Sequence, residues 1–135
     1  MSCRAATLYR WGPISFPAAD VREVTESLDV TQGKLSLGFR TGCTVRDPEY
    51  PALVVMSTIY GGGITSKLSQ KVREEQSLCY YASSSVEKFK GVMVVSSGIE
   101  FSDYEKAKTE ILRQLDECRQ GHITQEEFDS GAHKV

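Results

Sequence analysis

The sequence predicts an α+β fold, a two-layer sandwich in which an antiparallel or mixed sheet carries its helices on one face. Three observations lead there. Residues 34–41 alternate with a period of two, Leu35, Leu37 and Phe39 to one side and Ser36, Gly38 and Arg40 to the other, which marks a half-buried strand. Residues 104–118 instead space Tyr104, Ala107, Ile111, Leu115 and Cys118 three or four apart, the stripe of a helix that rests on a layer. The order along the chain is strand, strand, helix, helix, strand, strand, helix, helix. A sheet covered on one face buries both kinds of stripe.

Each element has its own signal. Residues 1–20, with Trp11, Gly12, Pro13 and Pro17, hold no period for more than a few positions. They are expected to be an irregular lead-in or linker before a domain at 21–135. Residues 23–30 form a strand, and a turn at 29–33 joins it to the strand at 34–41 as a hairpin. Asp47, Pro48 and Glu49 start a helix. This helix is apolar nearly all round to Tyr60, so it is expected to be buried, and it stops at Gly61, Gly62 and Gly63, where helix propensity collapses. A second helix spans about 66–76, with Leu68 and Val72 inward. Strands follow at 78–86 and 92–99, with a turn at 88–91 between them. Ser102 and Glu105 have capping-box spacing before the third helix, and Gly121 suits its end. Thr124 and Glu127 repeat the capping box, with Ile123 and Phe128 placed as a hydrophobic staple. That last helix has start signals and no stop signal, so the sequence reads as cut at Val135.

With 135 residues, 40 % apolar and 25 % charged, the chain fits one soluble domain with a real core. Its net charge of −2 and the lack of a basic block argue against nucleic-acid binding, which needs clustered cations. No apolar run approaches the roughly 20 residues that span a bilayer. Cys3, Cys43, Cys79 and Cys118 form no C-x-x-C pair, so a zinc knuckle is not expected. Cys79 and Cys118 read as small buried hydrophobes. These residues and the absence of a signal peptide suggest a reducing, cytoplasmic home.

Catalytic residues are scarce. A zinc peptidase holds its metal with two His on one helical face and a Glu between them. The two histidines, His122 and His133, are 11 positions apart and cannot form that arrangement. Gly61, Gly62 and Gly63 before Ser66 and Lys67 resemble a phosphate loop only superficially. Ser66 stands where a phosphate loop has its last Gly, and the stretch follows a helix instead of a strand. The glycines read as a break between helices, or as bare backbone open to another chain. Arg73 lies near a helix end and Tyr80 seven positions on. A helix–strand corner can bring a guanidinium fork and a hydroxyl together to grip peptide carbonyls. Equally, Arg73 can be a solvated or ion-paired helix residue and Tyr80 a core residue.

From Gly61 to Tyr81 the chain resembles the C-terminal-half signature of the insulinase/pitrilysin (mitochondrial processing peptidase-like) family. The matching pieces are Gly61, Gly62 and Gly63; Ser66, Lys67 and Leu68; Val72, Arg73 and Glu74; and Leu78, Cys79 and Tyr80. The strand at 81–85, the segment 32–41 and the run 121–128 also fit, so the likeness covers about 21–135. It implies a domain of a clamshell protein whose zinc and general base come from the first half through an inverted H-x-x-E-H motif. The second half lacks that motif and completes the substrate chamber. Arg73 and Tyr80 match the Arg and Tyr held to bind the substrate's backbone. The implied chain is therefore non-catalytic, binds no metal itself, and expects peptide substrate and zinc in a homologous partner domain or chain. Self-association through apolar helix faces is also expected. Cys79 departs mildly from the Gly or Ala common before the Tyr. Two other functions stand beside this one: the back half of an active zinc peptidase, and a pure interaction module that uses a sheet edge or helix face.

Overall fold

The computed structural model describes residues 2–7 and 21–133. Among the described residues, five strands form one mixed sheet: β1 (Ser2–Thr7), β2 (Glu23–Leu28), β3 (Gly33–Arg40), β4 (Tyr81–Glu87) and β5 (Val92–Ile99), in the order β2-β1-β3-β5-β4. Residues 2–7 are thus a strand, which corrects the irregular reading of that stretch. Trp11, Gly12, Pro13 and Pro17 lie outside the described residues. β2 and β3 are not a hairpin, because β1 lies between them, antiparallel to β2 and parallel to β3. Local turn signals at 29–33 reveal a reversal of direction, but not the strand inserted into the gap.

The helices are α1 (Tyr50–Gly61), a π-helix (Leu68–Glu75), α2 (Tyr104–Arg119) and α3 (Gln125–His133). β3 and β5 pair in register from Gly33↔Ile99 to Arg40↔Val92. Leu35, Leu37, Met93, Val95 and Ile99 are buried on the side that meets Leu68, Val72, Ala107 and Ile111. Tyr60 is fully buried there and donates its hydroxyl to the Ile111 carbonyl at 2.7 Å, so its polar atom is satisfied inside the core. Ser97 likewise donates to the Leu35 carbonyl at 3.0 Å. Pairing of β4 with β5 runs from Tyr81↔Gly98 to Glu87↔Val92. On β4 the alternation is legible in burial: Ala82 is buried, while Tyr81, Ser83 and Ser85 are exposed.

Several helix starts differ from the expected ones. α1 begins at Tyr50 with Pro51 in its first turn, and Asp47 instead closes the preceding turn by accepting from the Thr44 amide at 2.6 Å. Nor is α1 buried throughout: Leu53, Val54, Val55 and Met56 are only half-buried, and full burial starts near Ser57. Ser102 caps nothing, because a 3₁₀ turn at Phe101–Asp103 leads into α2. Thr124 does cap α3, accepting the Glu127 amide at 3.1 Å. The Glu127 carboxylate turns to Lys67 at 2.8 Å instead of returning to the cap. Phe128 of the expected staple is about half exposed.

α2 ends as its glycine suggested. Gly121 has φ +79°, the Gly121 amide donates to the Cys118 carbonyl at 3.2 Å, and the His122 amide donates to the Glu117 carbonyl at 2.9 Å. This is the Schellman closure that a left-handed residue permits. No described helix is long and apolar enough to cross a membrane.

Candidate functional site

α1 runs out at Gly61, where its C-terminal end presses on β4. A Cβ at Gly61 would lie 2.6 Å from the Ser84 backbone nitrogen and 2.8 Å from Leu68 Cδ1, so only glycine permits this approach. Ser84 completes the joint by donating to the Ser57 carbonyl at 2.7 Å. Of the three glycines, Gly61 is buried against the chain's own sheet, whereas Gly62 is exposed and abuts Thr58 of α1. After it, Ser66 donates to the Gly63 carbonyl at 2.6 Å and accepts the Ser69 amide at 3.3 Å. Gln70 Nε2 donates to the Ile64 carbonyl at 2.6 Å. The turn is knitted to the helix that follows.

That helix buries Leu68 and Val72 completely, as the sequence suggested, but its turns are wider than expected. It is a π-helix over Leu68–Glu75, one residue wider per turn than an α-helix. Lys67, at its start, is 6 % exposed and pairs with Glu127 of α3 at 2.8 Å. Lys71 and Glu75 pair along its surface at 2.7 Å. Arg73 stands in its last turn with a side chain 46 % exposed; its ion-pair partner is the neighbouring Glu74, at 3.7 Å.

A tight corner leads to the sheet. The Ser77 amide donates to the Arg73 carbonyl at 3.1 Å and the Leu78 amide to the Val72 carbonyl at 2.9 Å. Ser77 has φ +53°, a left-handed backbone at a non-glycine residue. Cys79 is buried, and Tyr80 ties its amide to the Gly98 carbonyl at 2.7 Å immediately before β4 begins. Tyr80 is 49 % exposed, so it is not the core residue that one reading of the sequence allowed. Burial pushes the Cys79 thiol up to about 11, and the Arg73 charge acts against that rise. Arg73 and Tyr80 thus flank one corner, and both reach solvent.

Two clefts open beside this corner. One, of about 390 Å³, is lined by Gln76, Leu78, Glu105, Lys106, Thr109 and Glu110. The other, of about 210 Å³, lies among charged groups that include Lys67, Lys71, Glu110 and Arg113. There Glu110 accepts from Arg113 at 3.0 Å and from Gln114 at 2.7 Å. Neither cleft is lined by Arg73 or Tyr80. Among the described residues, no group of three or more His, Cys, Asp or Glu is placed to hold a metal ion. His122 pairs its Nδ1 with Glu117 at 2.8 Å, and His133 closes α3. Among the described residues the donors present do not fit zinc. What the corner offers is hydrogen-bond donation: a planar guanidinium and a phenol hydroxyl, both able to meet carbonyl oxygens.

Sequence reasoning missed two features of this region. The buried Lys67 was invisible, because a lysine beside Ser66 and Leu68 carries no sign of its partner 60 positions away. Ser77 had a weak signal: the helix ends without any glycine to take a left-handed cap.

The family described as the peptidase M16 inactive domain matches residues 13–135. The probable inactive metalloprotease YmfF of Bacillus subtilis (strain 168) is 43 % identical over 107 residues, covering 79 % of this chain and 25 % of that protein. The crystal structure of a conserved protein from Enterococcus faecalis V583 superposes with a TM-score of 0.74 at 37 % identity, covering 76 % of this chain and 24 % of that one. The peptidase M16 inactive domain from Pseudomonas fluorescens shares the fold, with a TM-score of 0.72 at 23 % identity over 79 % of this chain and 26 % of that one. The chain spans about a quarter of the length of these relatives.

Proposed function

The chain belongs to the peptidase M16 inactive-domain family, and on that premise we propose that it binds the backbone of a peptide substrate through Arg73 and Tyr80 and completes a substrate chamber with a zinc-bearing domain or chain. The observation that carries this reading is the corner itself. The two residues that match the family's Arg and Tyr are both about half exposed, on either side of a turn anchored by buried Val72 and Cys79. The backbone of the turn is already ordered by these buried neighbours, so only the two side chains lose freedom when the guanidinium and the hydroxyl meet a carbonyl, which favours binding. Donors aimed at a carbonyl oxygen also stabilise the charge that develops there if a hydroxide generated elsewhere attacks. Zinc then belongs to the partner, and this chain contributes recognition. A reducing, cytoplasmic location is part of the same reading, supported by Cys43, Cys79 and Cys118, all buried and free.

The test is equilibrium binding of a fluorescently labelled unstructured peptide, followed by anisotropy. Arg73→Ala and Tyr80→Phe are each expected to weaken binding about tenfold, the worth of one hydrogen bond to a charged or preorganised group. Both side chains are half exposed, so thermal stability should hardly change. Affinity equal to the parent in both variants contradicts the proposal.

A further inference from the structure

We infer that Ser77 is a positioning residue: its left-handed backbone, closing a helix wound one residue too wide, fixes how Arg73 stands relative to Tyr80. This rests on the reading of Arg73 and Tyr80 as the peptide-binding pair.

The argument begins with a contrast inside the chain. α2 closes on Gly121, with amide-to-carbonyl bonds that span three residues (Gly121 to Cys118) and five (His122 to Glu117). The π-helix closes on Ser77, and its two bonds span four residues (Ser77 to Arg73) and six (Leu78 to Val72). The closure has the same form with one residue more. An extra residue in a helical turn rotates whatever precedes it relative to whatever follows. Arg73 precedes and Tyr80 follows. The surplus therefore sets the angle at which the guanidinium leaves the helix when the phenol leaves the sheet.

Ser77 is where that surplus is absorbed. It is the one non-glycine residue with positive φ among those described. Such a conformation is unfavourable for a residue with a Cβ and persists when its surroundings over-determine it. Here they do. Val72 is 0 % and Cys79 8 % exposed, and the Tyr80 amide is tied to Gly98. Ser77 itself is exposed, so the conformation is imposed by the anchored residues on either side and not by a core contact of its own side chain. A strained residue at a surface corner between two candidate binding residues is arranged for geometry more than for packing.

The experiment compares three substitutions in the whole chain. Ser77→Val puts a β-branched residue where it cannot take positive φ, so peptide affinity should fall about tenfold, as for loss of one of the two donors. Ser77→Gly takes that conformation freely and should keep parental affinity. Gly121→Val, at the other left-handed cap, should lower the melting temperature without changing affinity, which separates positioning from general destabilisation. If Ser77→Val does not fold, Ser77→Thr, β-branched but polar at this exposed position, carries the comparison, with the same expected loss of affinity. Parental affinity in Ser77→Val, while Arg73→Ala binds weakly, overturns the inference and leaves the peptide-binding reading in place. Parental affinity in Arg73→Ala and Tyr80→Phe defeats that reading, and this inference falls with it.

Discussion

A methyl group added at Gly61 would lie 2.6 Å from the Ser84 amide nitrogen and 2.8 Å from the side chain of the fully buried Leu68. Neither neighbour can retreat, since one is strand backbone and the other is core. Gly61→Ala should therefore destabilise the chain by about 1–3 kcal/mol, the usual cost of overpacking. A lowered urea midpoint with unchanged slope would register it. Arg73 and Tyr80 were singled out by resemblance alone, because an arginine near a helix end and a tyrosine near a strand carry no role by themselves. Ser77 was not legible as a strained residue, since φ belongs to the folded corner and not to the letter.

At the level of elements, the Lys67–Glu127 pair joins the start of the π-helix to α3 across the layer. The two partners are not equivalent, because Lys67 is 6 % exposed and Glu127 19 %. Removing the carboxylate by Glu127→Ala strands a buried ammonium, at a cost of about 3 kcal/mol. Lys67→Met removes the charge and keeps the stem, leaving Glu127 nearer to water, and should cost clearly less. Chemical denaturation of both variants reads the asymmetry, and equal losses would show that the pair merely bridges the surface. The stripe of α2 and the alternation of β3 were readable, since each follows from a period set by local geometry. The widening of the π-helix was not, because Leu68 and Val72 fall on one face at either pitch. The insertion of β1 between β2 and β3 was missed because pairing order depends on distant segments.

Across the whole molecule, burial governs the ionisation of Cys79 and Cys118. Burial raises both the Cys79 and Cys118 thiols from an ordinary value of 9.0 to about 11. In the unfolded chain they ionise near 9, so from there to about 11 the folded state holds more protons, and stability falls as pH rises. Below 9 that contribution is complete. Thermal melts should thus be flat in this respect from pH 7 to 9 and decline above it, and a Cys79→Ala, Cys118→Ala double variant should lose most of the decline between pH 9 and 10, while the buried Tyr60 hydroxyl, raised from its ordinary 10.0, keeps a further decline above pH 10. The α+β sandwich was legible from its segment order, whereas the half-exposed flank of α1 was not. Leu53, Val54, Val55 and Met56 look like core in any sequence, and what covers a helix is decided by the layers around it.

On the proposed function, this chain supplies recognition and metal chemistry belongs to another domain. The most direct test is zinc content and peptide cleavage of the purified chain, alone and mixed with a zinc-bearing family member. Expected are no stoichiometric zinc and no cleavage by the chain alone, and in the mixture more cleavage than the zinc-bearing partner shows by itself, with Arg73→Ala removing the gain. Stoichiometric zinc in the isolated chain, with cleavage that a chelator abolishes, would contradict the proposed function.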